Sequence, residues 1–113
     1  MKKVHQFVLL ALLATGSAAH AVGNVQGATV INVDARADGN FLITFSQSST
    51  TPPTCVAVFN RMSGSTSTAG GRAVLANAML AYTTGAQVAL AQGTGACGVY
   101  GNIEAINILS IGQ

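Results

Sequence analysis

The chain has 113 residues, half of them hydrophobic and only 7% charged, with a formal net charge of +2. Lys2 and Lys3 are its only lysines, so the chain beyond them carries three arginines against three acidic residues, with no positive cluster. Binding to nucleic acid or to anionic lipid depends on clustered lysine and arginine, so we predict neither partner. A charge balance near zero gives little protection against self-association, which favours a homo-oligomer.

The first 21 residues have the layout of a secretory signal peptide. A short positive start precedes an apolar run over residues 4–14, and residues 19–21 (Ala-His-Ala) place small side chains where a signal peptidase reads them. We predict cleavage after Ala21 and a single mature domain over residues 22–113, in the periplasm or outside the cell. The apolar run is shorter than the roughly 20 residues that span a bilayer, and no second run follows. The mature domain is therefore predicted to have no membrane span.

The predicted mature domain lacks the usual catalytic bases. His5 and His20 both precede the cleavage site, so neither histidine nor lysine remains. A serine nucleophile then has no base, and zinc loses its commonest ligand. The three acids, Asp34, Asp38 and Glu104, show no spacing typical of a paired acid and base. We therefore predict no catalytic residue, no metal site and no cofactor, in a protein that is not an enzyme.

In chain order, the first predicted elements are strands. Residues 28–36 and 41–46 alternate apolar and polar side chains, as half-buried strands do. Asp-Gly-Asn at residues 38–40 predicts a turn between them. A third strand is predicted over residues 55–62, and the glycine- and serine-rich residues 63–71 are predicted to be a flexible loop.

The period then changes to that of a helix. Residues 72–83 are rich in alanine, leucine and methionine, which favour helix, and Gly85 follows where a left-handed cap belongs. The predicted buried face is defined by helical spacing and comprises Leu75, Ala78, Met79 and Tyr82. Strands over residues 86–92 and 103–111 follow, separated by a glycine-rich loop that carries Cys97.

The resulting order, β-β-β-α-β-β, is that of an OB fold. We therefore predict a fold that is mostly β with one helix, a small five-stranded OB-fold-like barrel. An open α+β sheet covered by the helix is the competing topology. Export favours a disulfide between Cys55 and Cys97, which would tie the start of the third strand to the end of the fourth, and free or intermolecular thiols are the alternative.

Two features of the last loop bear on function. The pattern G-x-G-x-x-G at residues 93–98 matches a dinucleotide-binding fingerprint, but it opens no helix and no βαβ unit surrounds it. We interpret it as a tight loop that holds the disulfide. Tyr100 and Asn102 offer a ring face for stacking and an amide for bidentate hydrogen bonds, which suits contact with a sugar or a peptide. These two residues are candidate ligand contacts.

Residues 81–88 (Ala-Tyr-Thr-Thr-Gly-Ala-Gln-Val) resemble the matching stretch in the B subunits of subtilase-type and typhoid-type AB5 toxins. The chain is also similar in layout to small secreted proteins of Gram-negative bacteria whose function is uncharacterised. The toxin resemblance implies an OB fold, a ring-shaped pentamer and glycan recognition. A sugar-contacting serine of that family falls near Gln26 and a family tyrosine falls on Gln92, so the family's sugar site does not carry over. Gln92 itself is the third candidate ligand contact.

Two functional hypotheses from different classes remain. The first is a secreted, non-enzymatic binding module for a glycan or a cell-surface protein, which the toxin-like layout and the polar loops favour. The second is a structural or interaction subunit of the bacterial envelope that packs against copies of itself or another protein. The near-zero charge and the apolar strands favour this second hypothesis.

Overall fold

The computed structural model describes residues 21–112, so residues 1–20 of the predicted signal peptide lie outside it. Within the described range the chain forms six strands and one helix. Their bounds are β1 Asn24–Val25, β2 Ala28–Ala35, β3 Asn40–Phe45, β4 Arg61–Ser65, α1 Ala69–Thr84, β5 Gln87–Cys97 and β6 Glu104–Ile111. This part of the chain contains no helix long and apolar enough to cross a membrane.

The strands close into a ring. Their order in the sheet is β1-β5-β2-β3-β4-β6, and β5 also pairs with β6, so the strands from β2 to β6 form a closed barrel. β4 and β6 run parallel, whereas the other paired strands run antiparallel. With the helix between its third and fourth strands, this barrel has the architecture of an OB fold. The predicted OB-fold-like barrel is confirmed, the open sheet is wrong, and β1 is a short additional strand paired with β5.

The β2–β3 hairpin forms where the alternating pattern predicted it. Gly39 takes a left-handed backbone conformation with a φ of 90°, which glycine adopts without strain. The N–H of Asn40 donates to Oδ1 of Asp38 at 3.0 Å, and the N–H of Arg36 donates to the carbonyl of Asn40 at 2.9 Å. The backbone N–H of Asn40 lowers the pKa of the Asp38 carboxyl, because it stabilises the charged form.

The barrel interior is centred on β3. Phe41, Ile43 and Phe45 alternate along this strand and are fully buried. The same core cluster takes in residues from the other strands and from the helix: Val25, Ala28, Val30, Met62, Ala78, Ala81, Val88, Ala91 and Leu109. The helix packs against β2, β4 and β6, so its inner face completes the core.

The helix begins three residues before its predicted start. Thr68 caps it, because its side-chain oxygen accepts a hydrogen bond from the N–H of Gly71 at 3.0 Å. The predicted cap at the other end is confirmed, since Gly85 is left-handed and its N–H donates to the carbonyl of Ala81. The two glycines of the first turn lie in the run that was predicted to be a flexible loop, but the cap and the packing against β4 hold them in helix.

The predicted buried face of α1 is partly wrong. Ala78 is fully buried, but Met79 and Tyr82 are 53% and 54% exposed. The inward side instead carries Val74, half-buried, and Ala81, fully buried. Small alanines allow the helix to lie close to the barrel, while Met79 and Tyr82 are turned outward.

The third barrel strand lies later in the chain than predicted. Residues 55–60 form no strand, because their backbone bonds the β5–β6 loop: the N–H groups of Ala57 and Val58 donate to the carbonyl of Asn102. β4 is instead Arg61–Ser65, within a serine- and glycine-rich run. Glycine is required at position 64 of this strand, since a Cβ there would collide with the ring of Phe41. β5 likewise extends beyond its predicted end at Gln92, through the glycine-rich run to Cys97.

Removing the helix cap provides a first test. We expect Thr68→Ala to lower the free energy of unfolding by about 1 kcal/mol, because the Gly71 N–H loses its acceptor. Thr68→Ser keeps the oxygen and serves as the control, with stability close to that of the wild type. Urea unfolding of the three proteins measures the difference, and equal stability of the alanine and serine variants would show that the side-chain oxygen is not the cap.

Candidate ligand-binding site

A cavity of about 300 Å³ opens between β4, the first turn of α1 and the β5–β6 loop. Its size is at the lower end of the range typical of small-molecule sites. The polar side chains that line it are hydroxyls and one amide: Ser63, Ser65, Ser67, Thr68 and Asn107. Three larger apolar residues complete the lining: Val74, Val99 and Ile106. No charged side chain contributes to it.

Local hydrogen bonds hold the polar wall in place. The hydroxyls of Ser65 and Ser67 lie 3.0 Å apart, and the N–H of Ser67 also donates to the Ser65 hydroxyl. Ser63 is 2% exposed and donates to the carbonyl of Glu104. Asn107 on β6 is exposed, as are Ser67 and Thr68, so a ligand can reach its amide.

Close backbone contact shapes the floor of the cavity. Gly71 lies against the carbonyl of Ser65, and a Cβ at Gly71 would collide with that oxygen. Its neighbour Gly70 has open space where its Cβ would lie. The helix can therefore begin directly beside β4 only because residue 71 is glycine.

Tyr100 joins two loops. The guanidinium carbon of Arg36, at the end of β2, lies 5.7 Å from the centroid of the Tyr100 ring, within the range of a cation–π contact. Arg36 also bonds Asp34 at 3.2 Å. The Tyr100 hydroxyl is buried and has no hydrogen-bond partner among the described residues. Arg36 therefore covers one face of the ring, and the ring belongs to the contact between the β2–β3 and β5–β6 loops.

Asn102 and the disulfide join a different pair of loops. The carbonyl of Asn102 accepts the N–H groups of Ala57 and Val58, while its side chain is exposed. The predicted disulfide is confirmed between Cys55 and Cys97, whose Cα atoms are 6.2 Å apart. It ties the β3–β4 loop, rather than the start of a strand, to the end of β5.

The third candidate, Gln92, lies beside β1. Gln92 lies opposite Asn24 in the pairing of β5 with β1, and its side-chain amide donates to Oδ1 of Asn24 at 3.3 Å. Asn24 lines a second cavity, of about 450 Å³, together with Gln26, Gln47, Ser48 and Thr50. The structure thus places Tyr100 and Asn102 in the β5–β6 loop, of which Gly98 and Val99 line the first cavity. Gln92 is connected with the second cavity through Asn24.

Glu104 has a structural role that the sequence patterns did not predict. It is 2% exposed, and its Oε2 accepts hydrogen bonds from the N–H groups of Gly23 at 3.1 Å and Gly95 at 2.9 Å. A Cβ at Gly23 or Gly93 would collide with its carboxylate. The glycine pattern at residues 93–98 therefore makes room for this side chain, within a strand rather than a loop. An acidic residue opening the strand after a glycine-rich run is the signal that could have predicted it.

The other carboxylate oxygen of Glu104, Oε1, is buried with no hydrogen-bond partner among the described residues. No group of three or more histidine, cysteine or acidic residues in this part of the chain could hold a metal ion. Glu104 is therefore a single buried carboxylate enclosed by glycine backbone.

Comparisons with protein-family models, with curated proteins and with solved structures give no match to this chain. The class that the fold and the cavities define is a small disulfide-linked β barrel of the OB type, with one helix in the described residues. The resemblance to toxin B subunits stays a prediction.

Proposed function

We propose that this chain is a secreted, non-enzymatic binding module that takes the end of a neutral glycan in the cavity beside β4. The observation that carries the proposal is the lining of that cavity, which combines hydroxyl and amide groups with apolar side chains and contains no charge. Hydroxyls and amides both donate and accept, as the hydroxyls of a sugar do. The apolar lining matches the C–H faces of a sugar ring, which gain from leaving water.

Secretion is part of this proposal. The disulfide supports it, since such bonds form and persist in oxidising compartments outside the cytosol. The amino-acid pattern of residues 1–21 supports it independently, because a positive start, an apolar run and small residues before the cleavage point are typical of a signal peptide.

A glycan array with matched variants tests the binding site. We expect the wild type to bind a neutral glycan and Asn107→Ala to bind it about five- to tenfold more weakly, because one ligand hydrogen bond is lost. Asn32→Ala, which removes the same exposed amide from β2 and touches neither cavity, is the control and should bind normally. A folded wild type that binds no glycan, or an equal loss in the two variants, would rule out this site.

A second candidate function is self-assembly, which the outer face of α1 favours. Met79, Leu80 and Tyr82 are each more than half exposed, and the exposed residues of the helix after Arg72 carry no charge. Exposed apolar patches of this kind mark interaction surfaces. The charged side chains of the described residues balance, so charge repulsion does not oppose contact between two copies.

Light scattering tests this candidate. We expect a mass above that of the monomer for the signal-cleaved wild type in non-reducing buffer, and a monomer for Leu80→Glu, whose charge cannot be buried unpaired. Ala37→Glu adds the same charge in the exposed β2–β3 turn and should leave the mass unchanged. A monomeric wild type at high concentration would exclude self-assembly and leave the binding module as a single-site protein.

A further inference from the structure

The starting point is the unpartnered oxygen of Glu104. Oε2 has two backbone donors, from Gly23 and Gly95, but Oε1 has none among the described residues, although the side chain is 2% exposed. A buried carboxylate without a counter-charge is costly, and proteins pair such groups with a cation. A positive group beside Oε1 would offset this cost.

The side chains of residues 21–112 supply no such group. Arg36 pairs with Asp34 and lies over Tyr100. Arg72 donates to the carbonyl of Thr66, and Arg61 is exposed. Every lysine and histidine of the printed sequence precedes residue 21.

The backbone at Gly23 lies next to the unpartnered oxygen. Gly23 is buried, its N–H already bonds Oε2, and a Cβ on it would collide with Oε1. The preceding residue is held in place, because the carbonyl of Val22 accepts from the Thr51 hydroxyl at 2.8 Å and from the Asn24 amide at 3.2 Å. The nitrogen of Val22 is therefore one residue before a backbone N–H that bonds the same carboxylate.

We propose that Glu104 is an internal binding site for the α-ammonium group of Val22. The proposal rests on the cleavage after Ala21 that is part of the proposed function. Hydrolysis of the bond between residues 21 and 22 consumes one water and leaves a carboxylate on Ala21 and an amine on Val22, which takes up a proton. In the precursor the same nitrogen is an uncharged amide, so the ion pair to Glu104 forms only after cleavage. The ion pair then joins the start of the mature chain, next to β1, to Glu104 at the start of β6.

The test uses the exported protein, whose N-terminal residue is first identified by mass spectrometry. Because the sequence from Val22 onward has no lysine, the α-amino group is its only amine, and isotope-labelled dimethylation followed by NMR titration reports on it alone. We expect its pKa to lie above the ordinary value of about 7.7–8.0, because the carboxylate stabilises the ammonium form. Glu104→Gln should return it to that value, while Asp38→Asn, which removes an exposed acid, should not change it.

Each outcome decides between the proposals. Val22 as first residue with an ordinary pKa in the folded wild type overturns the ion pair but leaves the glycan-binding proposal untouched. A different first residue overturns the ion pair together with the proposed cleavage site. If Glu104→Gln does not fold, comparison of the wild type folded and unfolded in urea still decides, since the elevated pKa must disappear on unfolding.

Discussion

Replacing Cys55 and Cys97 together by serine is expected to lower the free energy of unfolding by about 4 kcal/mol. The disulfide closes a loop with a sequence separation of 42, and the chain-entropy model assigns that value to a cross-link of this length. The free energy of unfolding of a small domain is roughly 5–15 kcal/mol, so a loss of this size is a large part of it. Urea unfolding of the two proteins in non-reducing buffer measures it.

Reducing agent provides the control for this prediction. Reduction should destabilise the wild type by a similar amount and leave the double variant unchanged, because the variant has no bond to break. After the loss, the hydrogen bonds from the N–H groups of Ala57 and Val58 to the carbonyl of Asn102 still link the β3–β4 loop to the β5–β6 loop. If the free energy of unfolding of the double variant lies within about 1 kcal/mol of the wild-type value, the disulfide does not stabilise the fold as the chain-entropy estimate requires.

The second large effect is expected from a pair of adjacent glycines in the first turn of α1. Gly71→Ala should lower the free energy of unfolding by about 3 kcal/mol, because the new Cβ collides with the backbone carbonyl of Ser65 and the helix must move off β4. Gly70→Ala meets open space and should raise stability by up to about 1 kcal/mol, since alanine favours helix.

The comparison of the two variants is informative because they differ by one position and carry the same change. Thermal unfolding should therefore show shifts of opposite sign. The displaced helix of Gly71→Ala should also deform the cavity, so any ligand that the wild type binds should bind this variant more weakly. Equal unfolding temperatures for the two variants would show that the contact between Gly71 and Ser65 does not constrain the helix.

Local chemistry allowed part of this fold to be predicted. The β2–β3 hairpin followed from alternation and from a turn that needs positive φ, which Gly39 supplies. The end of the helix followed from Gly85 for the same reason. The disulfide needed only the count of two cysteines and an oxidising compartment. The turn and the helix end depend on residues that are neighbours in the chain, and each of the two cysteines has only the other to pair with.

Tertiary contacts decided the rest, so sequence patterns missed it. β4 has a weak strand pattern and is held by its pairing with β3 and β6 and by the ring of Phe41 against Gly64. The predicted buried face of the helix was partly wrong because it assumed that the large side chains of Met79 and Tyr82 are buried. The helix lies so close to the barrel that small residues such as Ala81 fit at the contact instead.

The candidate site was harder to predict for the same reason. The first cavity is assembled from β4, the start of α1, the β5–β6 loop and β6, which are separated in sequence. The carboxylate of Glu104 meets the N–H of Gly23 across 81 positions. Tyr100 was identified as a site residue, but its contact with Arg36 depends on the approach of two loops at one side of the barrel.

Chemical-shift mapping by NMR tests most directly whether the uncharged cavity beside β4 binds a neutral glycan. The isotope-labelled mature protein is titrated with neutral monosaccharides and short oligosaccharides, and the backbone amide signals are followed. We expect shifts concentrated at residues 63–65, 67–68, 70–71, 74, 98–99 and 105–107, which line the cavity. Absence of shifts at millimolar sugar, or shifts confined to the second cavity around Asn24 and Thr50, would contradict it.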